Sequence, residues 1–450
     1  MQKRLYLPFF LFLLHASVTS VSAQWTFTDI SQAKGQMGAV ALGAKAYFGG
    51  GSFASGQTNK VEIYDAVTGT LTTKTLSVAR AFPGAAGIGR KVLFAGGIFW
   101  DNLTHYATVD ILDTMTQTWT TASLSVPRAY TQGVSLGNEV MFAGGFKKSA
   151  SPTLFYDVID VYNNNTGNWS TKSLSLGRAF MGVAVAGNLA IFAGGQISDS
   201  QVTDRVDIYN STTGAWSTAT LSVARAYCAA TTVGKKVIIA GGVNGANINS
   251  AQVDIFDTET GIWTTANLSE ARSFTTMGAT ICGKAYFVAG GGVNLTFSAF
   301  QSASKRVDIY DPVTNTWSQD VVQNLLINHA VVAVKNKLLV AGGVVFPTGF
   351  NKKLEIYTCT GLSGNGEPEA SLKISLTPNP ASDIFTLQIP DDAETAFQVE
   401  IYDFSGKRIS KFEMSAYSEK TVNLTDWKAG AYFVRVIGAK SFGVEKIIKI

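Results

Sequence analysis

Histidine, cysteine and charge are all scarce in this chain, and each shortage removes a class of function. Three histidines, His15, His105 and His329, are spread over 450 residues. A histidine-rich metal centre cannot be built from them, and a Ser-His-Asp arrangement has little to draw on. No catalytic residue, metal or cofactor is expected. Three cysteines, Cys228, Cys282 and Cys359, show no CxxC or Cys/His spacing, so neither a zinc site nor a disulfide framework is indicated, and buried thiols or one chance pair are the default. Charged residues make up 15% of the chain against 46% hydrophobic, which excludes disorder and supplies a large core. Without Lys3 and Arg4, 34 basic residues face 32 acidic ones and there is no basic tail, so nucleic acid is not an expected partner.

Long apolar runs are missing too. The one at residues 5–14, LYLPFFLFLL, has ten residues, about half of what spans a bilayer. Lys3 and Arg4 precede it and Val21-Ser22-Ala23 follow it. This is the pattern of a secretory signal over residues 1–23, cut before Gln24, and not of a membrane-spanning segment.

Glycine, by contrast, is abundant, with 44 residues, and a Gly-Gly pair recurs seven times at spacings of 46 to 52, beginning at Gly50, Gly96, Gly144, Gly194, Gly241, Gly290 and Gly342. Each pair ends an apolar run. A variable loop follows, then an alternating segment such as VEIYD at 61–65 or VDIYN at 206–210, then a Trp at 119, 169, 216, 263 and 317, replaced by Leu71 in the first full copy. A period of this length means a stacked or closed array. Each unit reads as four short strands, a to d, with the double glycine after strand b, where backbones approach closely or take positive φ. The last copy has a strand c at 354–357 but no strand d, whereas residues 25–28, WTFT, read as a strand d with no strands before it. The N-terminus is therefore expected to complete the last unit, closing the array without an open edge.

This pattern resembles the kelch repeat, which implies an all-β fold: a seven-bladed kelch-type β-propeller over residues 24–360. The carboxylates of strand c, Glu62, Asp110, Asp160, Asp207, Asp254, Asp308 and Glu355, hold one phase in all copies. Catalysis needs asymmetry, so they are expected to pair with a neighbouring blade or turn. Arginines before strand a, Arg80, Arg128, Arg178, Arg225 and Arg272, also repeat, with Lys34 and His329 at or near the position in the other two copies. The resemblance implies that arginines from this connection line the channel mouth and bind acidic groups. The alternative is that strand-c carboxylates consume them.

The loops between strands b and c diverge in length and carry Trp100, Tyr106, Tyr156 and Phe297 among other aromatics. Rings beside Asn, Ser and Thr suit stacking on sugars or gripping a peptide, or else cover the blades as local core. A binding module for a glycan or protein ligand is the first reading. The alternative that the kelch resemblance allows is an envelope sugar-processing enzyme, such as a sialic-acid epimerase or mutarotase, although the irregular acids Asp101, Asp157, Asp199, Asp204 and Glu270 single out no pair.

After a polar linker at 361–370, residues 371–450 lose the repeat and alternate around turns at Pro378-Asn379-Pro380, Gly406-Lys407 and Ala429-Gly430, as a small C-terminal β-sandwich does. These motifs, with the strand at 430–434 and the end at 446–449, resemble the C-terminal sorting domain of type IX secretion cargo in Bacteroidota. That resemblance implies export through the periplasm and outer membrane to the cell surface or the medium, with the secretion machinery as partner.

Overall fold

The computed structural model describes residues 25–148, 152–273, 278–295, 300–345, 348–359, 372, 374–389, 396–403, 407–415, 418–438 and 442–450. The signal read at residues 1–23 lies outside them. Seven antiparallel sheets follow the seven copies. The third is typical, with strand a Gln132–Leu136, b Glu139–Ala143, c Val158–Asn163 and d Trp169–Ser173. Strand a of each blade touches strand a of the next, from the first blade round to the seventh and back to the first. The ring is therefore closed. Its last sheet takes its outer strand from the N-terminus: Trp25–Asp29 pairs antiparallel with Lys353–Thr358, Trp25 opposite Tyr357.

Alternation along the strands explains the packing. Strand b presents runs such as VMFA, fully buried because blades cover both of its faces. Strand d is half-exposed, with its Trp turned against the adjoining blade. Trp169 of the third blade joins a core formed with Leu93, Val109 and Ile111 of the second. The Trp25 indole donates to Asp320 of the sixth blade at 3.0 Å, so the closing strand is anchored as well as paired. The sixth blade departs from the others. Its strands c and d run long, Phe300–Asp311 and Thr316–Ile327, and strand d continues its ladder into Val344–Val345 of the seventh.

One disulfide, Cys282–Cys359, is the single pair that the spacing left open beside buried thiols. Cys282 lies in the a–b turn of the sixth blade and Cys359 directly follows strand c of the seventh, while Cys228 is free and buried. The pairing depends on ring closure, which brings together residues 77 apart in sequence.

Towards the C-terminus, a three-stranded sheet (Ser375–Thr377, Ile384–Gln388, Glu419–Asn423) faces a four-stranded one in the order Arg408–Ser415, Ala396–Asp403, Gly430–Ile437, Phe442–Lys449. Phe385, Leu387, Val399, Ile401, Val434 and Ile447 fill the space between them. The Pro-Asn-Pro turn is held by Asn379, whose amide donates to the Lys446 carbonyl and accepts from the Ile448 N–H. Asp403 accepts the Lys407 N–H across its turn.

Candidate functional site

The repeated arginines form joints inside the ring. Arg128 is typical. Its guanidinium donates to the carbonyls of Gly144 (2.8 Å), Val126 (3.1 Å) and Phe142 (3.0 Å) and lies 2.7 Å from Asp160. Arg80–Asp110, Arg178–Asp207, Arg225–Asp254 and Arg272–Asp308 repeat the pair at 2.6–2.7 Å. All five arginines are buried, at 0–1% exposure. In Asp110, Asp160, Asp254 and Asp308 the carboxylate's other oxygen accepts a backbone N–H from the incoming connection, Ser125 in the case of Asp160, whereas in Asp207 one oxygen takes both.

The double glycine belongs to the same joint. The Gly145 N–H donates to the Arg178 carbonyl of the next connection, and a Cβ on Gly144 would lie 2.4 Å from that oxygen. Both glycines have positive φ, 59° and 110°, so a side chain is excluded by space and by backbone alike. The expectation of arginines open to an acidic ligand is thereby corrected. Arg80, Arg128, Arg178, Arg225 and Arg272 turn no face to solvent, because carbonyls and a carboxylate enclose each one.

Two copies vary the joint. Lys34 takes the arginine's place with Glu62 at 3.6 Å, and burial pulls its pKa down to about 8 against the pull of that carboxylate. In the seventh blade the position belongs to Leu326, whose carbonyl receives the Gly290 N–H as the Arg carbonyls do elsewhere. His329 lies three residues further on. It is buried, donates to Val288 O at 3.1 Å and is pushed down to about 4, so it supplies no cation. Glu355 is thus buried without a cationic partner among the described residues. It accepts from Gln323 N–H (2.9 Å) and the Asn324 amide (3.1 Å), and burial raises its pKa. A carboxyl raised on folding is stabilising below its unfolded pKa and increasingly costly as pH climbs through the folded one. Glu355→Gln is therefore expected to raise the urea midpoint at pH 7, since Asn324 can turn its amide to match the new one. The gain should vanish near pH 4. A lower midpoint at pH 7 would contradict it.

Among the described residues, the position two beyond Lys34, Arg80, Arg128, Arg178, Arg225 and Leu326 forms a second set around the axis, which sequence reasoning missed. Gln36, Phe82, Tyr130, Phe180, Tyr227 and Asn328 all have φ between 51° and 60°. Such angles are uncommon outside glycine. They are held by hydrogen bonds passing from blade to blade: Gln36 N–H to Asn328 O, Phe82 N–H to Gln36 O, Tyr130 N–H to Phe82 O, and Tyr227 N–H to Phe180 O. The four aromatic members pack in an arc, stacked with centroids 3.9 Å apart for Phe82–Tyr130 and 4.3 Å for Phe180–Tyr227, and edge-on at 4.3 Å for Tyr130–Phe180. All four are buried and plug the axis. Beside them a cavity of about 90 Å³, lined by Met37, Phe82, Tyr130, Thr131, Gln132 and Val331, falls far below the roughly 300–1,000 Å³ of small-molecule sites.

Above the plug the b–c loops brace one another. Trp100 N–H donates to Gln57, Lys148 N–H to His105, Gln196 to Leu295 O and Leu295 N–H to Asn247, and Lys148 lies 3.7 Å from Asp199. Loops of six blades are thus joined. Trp100 opens a short 3₁₀ turn, Trp100–Asn102, and sets its ring at 90° on Phe82 with centroids 6.2 Å apart. It is half-buried, as are Tyr106 and Tyr156. The backbones of those tyrosines are tied into the joints, Arg128 N–H donating to Tyr106 O and Arg178 N–H to Tyr156 O. Leu103, Leu154 and Ile248 are exposed on the same loops. Phe297 lies outside the described residues.

The kelch resemblance is matched by a family model, the KLHDC2/KLHL20/DRC7 Kelch-repeats domain, over residues 132–343, and that of the Secretion system C-terminal sorting domain matches residues 375–450. Among curated proteins none matches the chain. Among solved structures, one described as Structure of YjhT is similar at 17% identity and a TM-score of 0.48, over 63% of this chain and 94% of that one. No helix among the described residues is long and apolar enough to cross a membrane. The chain is a secreted kelch-repeat β-propeller protein with a type IX sorting domain, exported to the cell surface or the extracellular space.

Proposed function

We propose that the propeller is a recognition module whose b–c loop face binds a neutral glycan. The observation carrying this reading is the cross-braced loop surface, divergent in sequence, that sits over a plugged axis and leaves Trp100, Tyr106 and Tyr156 half-exposed. Rings held at one face by packing suit stacking on the apolar faces of sugars, and pre-bracing lowers the ordering cost of binding. Exposed Asp101, Asn102, Asp157, Asp199 and Asn247 beside them offer hydrogen bonds to hydroxyls. Because the arginines are consumed inside the ring, an anionic group is not what the site reads. The order of the exported chain in this proposal is signal 1–23, propeller 24–360, linker 361–370 and sorting domain 371–450.

A glycan array probed with the purified exported protein tests the reading. Trp100→Ala and Tyr156→Ala are each expected to weaken saturable binding about ten-fold or more, as the loss of an aromatic anchor does, with circular-dichroism melting of the propeller retained. Binding of no glycan, or binding indifferent to both substitutions, would sink the proposal and turn the loop face towards a protein ligand.

A further inference from the structure

The sorting domain has a charge arrangement unrelated to the loop face. On the outer side of its four-stranded sheet, Glu400 lies in the middle of Ala396–Asp403 and is only 6% exposed although no strand of the sandwich among the described residues covers that side. Cross-strand neighbours cover it instead. Lys411 is its partner on one strand and Arg435 on the other. Arg408 is 3.3 Å from Glu400, Lys411 3.7 Å and Arg435 3.9 Å, and the Tyr402 hydroxyl donates to its second oxygen at 2.6 Å. That hydroxyl first, then the cations, hold the Glu400 carboxyl below the usual range against the opposing effect of burial.

One carboxylate therefore gathers three cations whose own side chains stay 44–52% exposed. Ion pairs as wet as these add little to stability, so fold stability does not account for the cluster. Its geometric effect is to fix three positive groups on a flat face. The next row along the sheet reads Arg408, Tyr402, Phe433 and Lys446 in register, with Phe433 40% and Val444 46% exposed. Glu413, opposite Gln398, is the other acid on this face of these strands. Arginine and aromatic rings are the residue types enriched where proteins dock, and lysine-rich headgroup binding would need neither.

We infer that the outer face of this sheet docks the sorting domain onto an acidic protein surface of the secretion machinery, with Arg408, Lys411 and Arg435 as the charged contacts, Glu400 and Tyr402 as their positioning residues, and Phe433 as the apolar one. This inference does not depend on what the propeller binds. The match to a secretion-system sorting domain supplies the reader, and the excess of cations over acids on the face supplies the complementary chemistry.

The test uses the full chain expressed in its own bacterium. An Arg408→Glu/Lys411→Glu variant is expected to reach the medium and cell surface at a tenth or less of the normal level and to accumulate inside the outer membrane. Arg408→Lys/Lys411→Arg, which keeps the charge, is expected to restore export. Melting of the purified variants monitors the fold. Normal export of the charge-reversed chain overturns the inference, as does loss of export only where melting is also lost. Normal export combined with lost binding to vesicles containing phosphatidylglycerol overturns it in favour of a lipid role for the same cations.

Discussion

Asp254→Ala is expected to lower the unfolding free energy of the propeller by about 3–5 kcal/mol, the usual effect of leaving a buried charge without its partner. Arg225 is 0% exposed and donates to Gly241 O at 2.8 Å, Val223 O at 3.1 Å, Ile239 O at 3.2 Å and Asp254 at 2.6 Å. The carbonyls orient the guanidinium but carry no charge. Removing Asp254 also strips the Ser222 N–H of its acceptor, and the truncated side chain leaves a void too enclosed for the arginine to leave. Arg225→Met/Asp254→Leu should cost clearly less than the sum of its single variants, because it removes both charges together and fills the same volume. Urea denaturation followed by tryptophan fluorescence measures all three. A single-variant loss below about 1 kcal/mol, the range of a surface pair, would show that the joint is wet and that the arginines remain open to a ligand.

The contrast between this variant and Glu355→Gln shows which parts of the molecule were legible in the sequence. Repetition at constant phase marked the glycines, the strand-c carboxylates and the Trp of strand d as architecture, because a feature present in every blade answers to what every blade must do. The same logic left the arginines with two readings, since periodicity places them in the d-to-a connection without saying whether the guanidinium points into the wall or into the channel. What decides it is the wall itself, where the carbonyl of the first glycine receives Nε of Arg128, Arg178 and Arg225, that of Ala289 receives Nε of Arg272, and a strand-c carboxylate takes the far end of each guanidinium. Leu326 was hidden for a different reason. The long strand d of the sixth blade shifts the connection, so His329 stands near the position by local count while the hydrogen bond from Gly290 identifies Leu326. The ring of left-handed residues was invisible because Phe and Tyr carry no signal for positive φ. That conformation is imposed by blade-to-blade hydrogen bonds that exist only once the ring closes. The loop face shared this limit, as Trp100 is legible as an aromatic but not as a residue resting on Phe82.

Breaking the Cys282–Cys359 bridge is the second change with a large expected effect. The two Cα atoms are 6.8 Å apart and the bridge spans 77 residues of sequence, a long loop for which the restriction of the unfolded chain is worth roughly 4.5 kcal/mol, at the upper end of the range of about 0–5 for disulfides. Its position matters as much as its length. Cys359 directly follows Lys353–Thr358, the strand that holds Trp25–Asp29 by backbone pairing, the Trp25–Tyr357 ring contact, the Thr26 hydroxyl on Ile356 O and the Lys353–Asp29 ion pair, while Trp25 also donates to Asp320. The same blade contains Glu355, whose buried carboxyl meets no cation among the described residues, in place of the ion pair that joins the other connections to theirs. The bridge offsets that lack by fastening the seventh blade to the a–b turn of the sixth. Cys282→Ser/Cys359→Ser is therefore expected to lower the melting temperature of the propeller and to release its N-terminal strand to limited proteolysis first. Reductant should reproduce the shift in the parent chain and add nothing in the variant, because the remaining thiol, Cys228, is buried and its pKa is pushed up to about 11, keeping it protonated and inert. Equal melting of parent and variant, with or without reductant, would mean that strand pairing and Trp25 alone close the ring.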